Sequence, residues 1–80
     1  MKANINDSIV INFGKGIVSF RKSHNITQEK LAEKLDTDVR YLRDIEKGKI
    51  DVHYDTLVRF FSYFKKIDNN ISFSKLLEGK

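Results

Sequence analysis

The 80-residue sequence contains no cysteine and no proline. Without cysteine, no disulfide and no thiolate zinc site can support a small core. That absence fits a reducing compartment, and the chain is expected to be cytoplasmic. Without proline and with only four glycines, it is expected to form helices joined by short connections. No apolar run approaches the roughly 20 residues of a membrane span. The opening residues MKANINDS lack the apolar stretch of a signal peptide. A phosphate loop, a nucleophile motif and an acid–base dyad are all missing. His24 and His53 lack the i, i+4 spacing of a helix-borne zinc pair and are expected at the surface. No enzyme, metal, cofactor, small-molecule ligand or membrane partner is expected. There is also no repeat, low-complexity tract or internal linker, so one domain over residues 1–80 is expected.

The net charge is +4 and the isoelectric point about 9.4. This excess permits polyanion binding without demanding it. Met1 to about Asp7 is polar and expected to fray. Asp7 or Ser8 can cap a first helix with Ile9, Phe13, Ile17 and Phe20 at helical spacing. Gly14 and Gly16 weaken that helix by about 1 kcal/mol each against alanine, so a start nearer Phe13 stays open. The helix is expected to end around Ser23–Asn25, where asparagine suits a left-handed C-terminal position. Thr27 caps a second helix, QEKLAEKL, whose inward stripe is Leu31, Ala32 and Leu35. Asp38 or Thr37 caps a third, VRYLRDIEK, with Leu42 and Ile45 facing in and Gly48 as its stop. A fourth runs near Tyr54–Phe64, with Leu57, Phe60, Phe61 and Phe64 on its apolar side. Ser72 can cap a short fifth, FSKLLE.

Ile17, Arg21, Thr27-Gln28, Leu31-Ala32, Tyr41-Leu42, Ile45-Glu46, Gly48 and Thr56-Leu57 together resemble the phage-repressor (Cro/CI-type, XRE) helix-turn-helix family. The similarity runs from about Phe13 to Phe64, with the helix-turn-helix over about 27–47. It implies an all-α, compact five-helix bundle of the λ-repressor-like type. Asn25 and Asp36 stand where the family often has glycine; both types tolerate positive φ, so the turns are expected to persist. Glu46 lies on the inward side of the third helix, where a carboxylate needs a partner. The resemblance implies that this partner is Arg21, in a structural ion pair.

Arg40, Arg43, Asp44 and Lys47 fall at i, i+3, i+4 and i+7 and share one helical face. The resemblance implies that this face enters the major groove of double-stranded DNA. Asp38, Val39, Arg40, Arg43 and Asp44 would then face base edges. Arg40 and Arg43 can each take guanine O6 and N7, Val39 a thymine methyl and Asp44 cytosine N4. Thr27 and Gln28 would lie at the helix start nearest the backbone, with Gln28 on a phosphate or supporting a base contact. Lys47 and Lys49 would meet phosphates, as would the Tyr41 hydroxyl. Against this, Arg40 and Asp44 can pair with each other in solvent, and Asp38 can be simply a cap. Surplus apolar residues from the end of the fourth helix through the tail, at Phe64, Ile67, Ile71, Phe73, Leu76 and Leu77, suggest a homodimer interface, with a tail that folds back to complete the monomer core as the alternative. The expected function is a transcriptional regulator binding a palindromic operator as a homodimer. A restriction–modification controller protein, a DNA-binding antitoxin with a toxin partner, a phage or mobile-element repressor, and a protein-interaction module that has lost DNA binding remain open.

Overall fold

The computed structural model describes residues 4–72, 74 and 76, with side chains from Ile9 onward. It is all-α. Four helices are present among these residues: α1 (Asn4–Ser23), α2 (Gln28–Lys34), α3 (Val39–Glu46) and α4 (Tyr54–Ile67). The expected fifth helix falls largely outside the described residues, although Ser74 and Leu76 are helical in conformation.

The first helix starts earlier than its glycines suggested. Asp7 and Ser8, expected to cap it, lie inside it, and the run around Ile9–Ile11 is helical rather than extended. Val10, Phe13, Ile17 and Phe20 face the core, while Ile9 stays 42% exposed. Both glycines prove to be points of close approach. A methyl group built on Gly14 would collide with the Ile45 carbonyl oxygen and lie 2.8 Å from that of Glu46. One built on Gly16 would meet the Leu76 carbonyl. The local loss of helix propensity is therefore the condition for backbone packing of α3 and of the C-terminal segment on α1.

The first three helices end in the same way. Asn25, Asp36 and Gly48 all have positive φ, at 57°, 55° and 70°. At each, the next residue's amide donates five positions back: Ile26 to Arg21 at 2.8 Å, Thr37 to Ala32 at 2.9 Å and Lys49 to Asp44 at 3.0 Å. Asn25, Asp36 and Gly48 themselves donate to Lys22, Glu33 and Ile45. This is the paired hydrogen-bond pattern of a Schellman terminator. The starts of α2 and α3 carry side-chain caps. Thr27 Oγ1 accepts from the Lys30 amide at 3.1 Å, and Asp38 Oδ1 accepts from the Arg40 amide at 2.8 Å. Arg59 of α4 adds a bond from Nη1 to the Leu35 carbonyl, tying α4 to the end of α2.

The core joins Phe13, Ile17 and Phe20 of α1 to Leu31, Ala32 and Leu35, Leu42 and Ile45, Phe60 and Phe64, and Leu76. Phe20 stacks on Phe64 at 4.3 Å between centroids. Two residues expected at a dimer interface are thus inside the monomer. Phe64 is fully buried and Leu76 is 3% exposed. The C-terminal segment lies against Gly16 and uses apolar surface that the sequence alone left surplus. Of the same set, Ile67 is exposed and Ile71 half-buried, and Phe73 and Leu77 lie outside the described residues. No helix among the described residues is long and apolar enough to cross a membrane.

Candidate nucleic-acid interface

The turn that orders α2 and α3 is built locally. Thr27 starts α2, Asp36 reverses the chain and Asp38 starts α3. Ala32, 3% exposed, and Leu31, Leu42 and Ile45, with no exposed surface, fill the angle between them. α3 packs against both α1 and α2. With its inward side spent in this way, α3 has only its opposite face to offer.

That face carries most of the expected site. Asp38, Arg40, Lys47 and Lys49 are exposed, and Val39, Tyr41, Arg43 and Asp44 are half-buried. Val39 and Tyr41 pack against the edge of the core. Arg40 extends into solvent with its side chain 83% exposed; its nearest acid is Asp38, at 3.9 Å from Nε to Oδ1. Asp38 is a cap, and its carboxylate stands beside Arg40 at the helix start. Thr27 serves α2 as its cap. Lys47 closes α3, and the Lys49 amide belongs to its terminator.

Behind this face is a polar network that joins three helices. Arg21 and Glu46 form a bidentate pair, Nε to Oε2 at 2.8 Å and Nη2 to Oε1 at 3.1 Å. Their side chains are 13% and 4% exposed. Arg21 Nη1 also donates to the Ile26 carbonyl at 3.1 Å. Gln28 Nε2 donates to Glu46 Oε1 at 2.8 Å, and Gln28 Oε1 accepts from Arg43 Nε at 3.1 Å. Glu29 Oε2 lies 3.5 Å from Arg43 Nη2. No buried side-chain polar atom among the described residues lacks a partner.

Two parts of this arrangement were not anticipated from sequence. One is Glu29, whose approach to Arg43 joins residues on different helices. The other is the identity of the partners of Gln28, expected on a phosphate or in support of a base contact: it binds Glu46 and Arg43 of α3. His24 also departs from expectation. It is half-buried, stacked on Phe20 at 4.1 Å, with Nε2 at 3.9 Å from Asp68 Oδ2. His53 is exposed at the start of α4. No group of three or more His, Asp or Glu side chains among the described residues could hold a metal ion.

A basic outer face on the second of two short, capped helices, braced from behind by a buried ion pair, is a form of the DNA-binding helix-turn-helix. The helix-turn-helix family model matches residues 17–67, well over half of the chain. The chain belongs to the helix-turn-helix family of the XRE, Cro/CI-like type. It is a DNA-binding transcription regulator of that type. Comparison with curated proteins and with solved structures returns no match. The family match begins within α1 and ends with α4, so the Arg21–Glu46 pair and the whole of α2 and α3 lie inside it.

Proposed function

We propose that this regulator binds a roughly two-fold symmetric operator as a homodimer, with α3 of each subunit in the major groove. The observation that carries the reading is the outer face of α3. Arg40, Arg43 and Lys47 fall at helical i, i+3 and i+7 spacing and Lys49 follows; Arg43 is half-buried and bonded to Gln28 at the start of α2, and the other three are exposed. Arg40 and Arg43 read guanine edges, and Val39 and Asp44 contribute a methyl contact and an acceptor. Lys47 and Lys49 neutralise phosphates. Thr27, Tyr41 and Asp38 flank the same surface, Thr27 and Asp38 as caps.

A single short helix is seldom enough for specificity, and two related by symmetry read half-sites about 34 Å apart. The contact between subunits uses apolar side chains still available at the end of α4, Ile67 with the half-buried Ile71. Selection of bound sequences from random duplexes is expected to return a palindromic logo. A logo with one unrepeated half-site overturns the dimer, and a failure to enrich any sequence overturns base readout. Ile67→Asp is expected to sediment as a folded monomer with weakened operator binding. A folded dimer would remove this surface from consideration.

A further inference from the structure

The amide of Gln28 is held at both ends. Its Nε2 faces the Glu46 carboxylate at 2.8 Å, and its Oε1 faces the Arg43 guanidinium at 3.1 Å. The charges on these neighbours fix which way round the amide lies. A flipped amide would set NH2 against a cation and oxygen against an anion. Glu46 is itself locked by Arg21 through two further bonds. A line of hydrogen bonds thus runs from α1, through the end of α3 and the start of α2, to a side chain on the outer face of α3.

We propose that Gln28 is a positioning residue that acts on DNA through Arg43. The inference rests on the reading that α3 enters the major groove. Holding Arg43 by Nε leaves its terminal Nη1 and Nη2 groups to meet guanine O6 and N7 end-on. Glu29 Oε2, at 3.5 Å from Nη2, steadies the guanidinium on its exposed side and gives way to the base. A side chain ordered before binding loses less freedom on binding. Arg40 has no such support: it is 83% exposed, and its nearest carboxylate is 3.9 Å away. It serves as the internal control. Gln28 turned inward is also not free to act as a phosphate ligand in its own right, which is the competing account of the same residue.

The test compares wild type, Gln28→Met, Arg43→Ala and the double variant. Methionine keeps the length and helix propensity of glutamine and removes both hydrogen bonds. Each protein is titrated with the duplex selected by wild type, and with that duplex altered at the base pair whose preference Arg43→Ala loses. Gln28→Met is expected to cut discrimination at that pair about tenfold. It should leave the Arg40-dependent pair unchanged and add nothing in the Arg43→Ala background. A Gln28→Met loss that persists in the Arg43→Ala background assigns Gln28 a contact of its own and overturns the proposal. So does an equal loss on every duplex together with a lowered melting temperature. A measurement without DNA separates the two levels of the argument. The Nε–H resonance of Arg43 is expected to exchange with water more slowly than that of Arg40, and to lose this protection in Gln28→Met. Equal exchange at both arginines in wild type overturns the positioning role even where DNA binding stands. A wild-type protein that selects no sequence overturns the groove reading beneath it.

Discussion

The two ends of α3 are built on opposite plans. At the first turn, one cap bond from Asp38 is the chief fixed interaction, and Arg40 extends into solvent. At the last turn, Glu46 is 4% exposed and meets Arg21 and Gln28. The carbonyls of Ile45 and Glu46 lie against Gly14, and Gly48 completes the terminator. One end is anchored and the other is offered. If α3 enters the groove as proposed, it reads base edges chiefly with its first residues, so the unanchored end is the one that adapts to a sequence. Arg43 lies between the two regimes: its side chain is 43% exposed and held from behind.

The largest effect should come from the anchored end. Glu46→Ala leaves Arg21 without its carboxylate, and a loss of about 3–5 kcal/mol of stability is expected in urea unfolding. Replacing Arg21 and Glu46 together by apolar residues of similar volume should recover much of it. If Glu46→Ala unfolds like wild type, the contrast between the ends has no energetic content. The arginines come next. Arg43→Ala and Arg40→Ala are each expected to cost about 1–3 kcal/mol of operator binding and to relax one base pair per half-site. The Arg43 variant should lose more, by about 0.5–1.5 kcal/mol, because Arg40 is ordered only on binding. Equal losses in parallel titrations would show that the support behind Arg43 does not matter for binding. At the offered end, Asp38→Ala should lower stability by about 1 kcal/mol through the lost cap. The same change removes a negative charge beside the proposed DNA surface, so affinity for random duplex should rise; a loss confined to the selected operator would place Asp38 in direct base readout. The smallest effects belong to Lys47 and Lys49. Alanine at either should weaken all duplexes alike. It should also flatten the plot of log affinity against log salt by about one unit for each phosphate that a subunit no longer neutralises. An unchanged slope would exclude a phosphate role.

Features decided by neighbours in the chain were legible from sequence. Thr27 and Asp38 as caps, Gly48 as a stop and the left-handed Asn25 are local matters, whereas the positive φ of Asp36 and the helix-turn-helix itself came from the family resemblance. Features decided by a distant segment were not. Gly14 and Gly16 read as weak points in a helix because their cost is local, whereas their purpose depends on Ile45 and Leu76. Ile9 read as core, yet Val10, three residues before Phe13 rather than four, takes the inward place. Spacing left Leu76 open between a subunit interface and a folded-back tail, because nothing local shows that it lies against Gly16. The pairing of Arg21 with Glu46 came from family resemblance and not from spacing. The link from Glu46 through Gln28 to Arg43 joins two helices by side chains far apart in sequence, and has no sequence signal that periodicity can detect.

Gly14 gives this architecture a mutational consequence. Where side chains separate two helices, each substitution in the core moves them slightly, and whatever the outer surface recognises moves too. Here α1 meets the end of α3 backbone to backbone, with no side chain between them at Gly14. The depth at which α3 lies is set by a contact that drift in the neighbouring core residues does not alter. Replacements at Arg40 and Asp44, neither of them part of the apolar core, can accumulate without disturbing that contact. On the proposed groove reading, the scaffold can therefore change its target site one outer-face residue at a time, while its fold stays under separate selection.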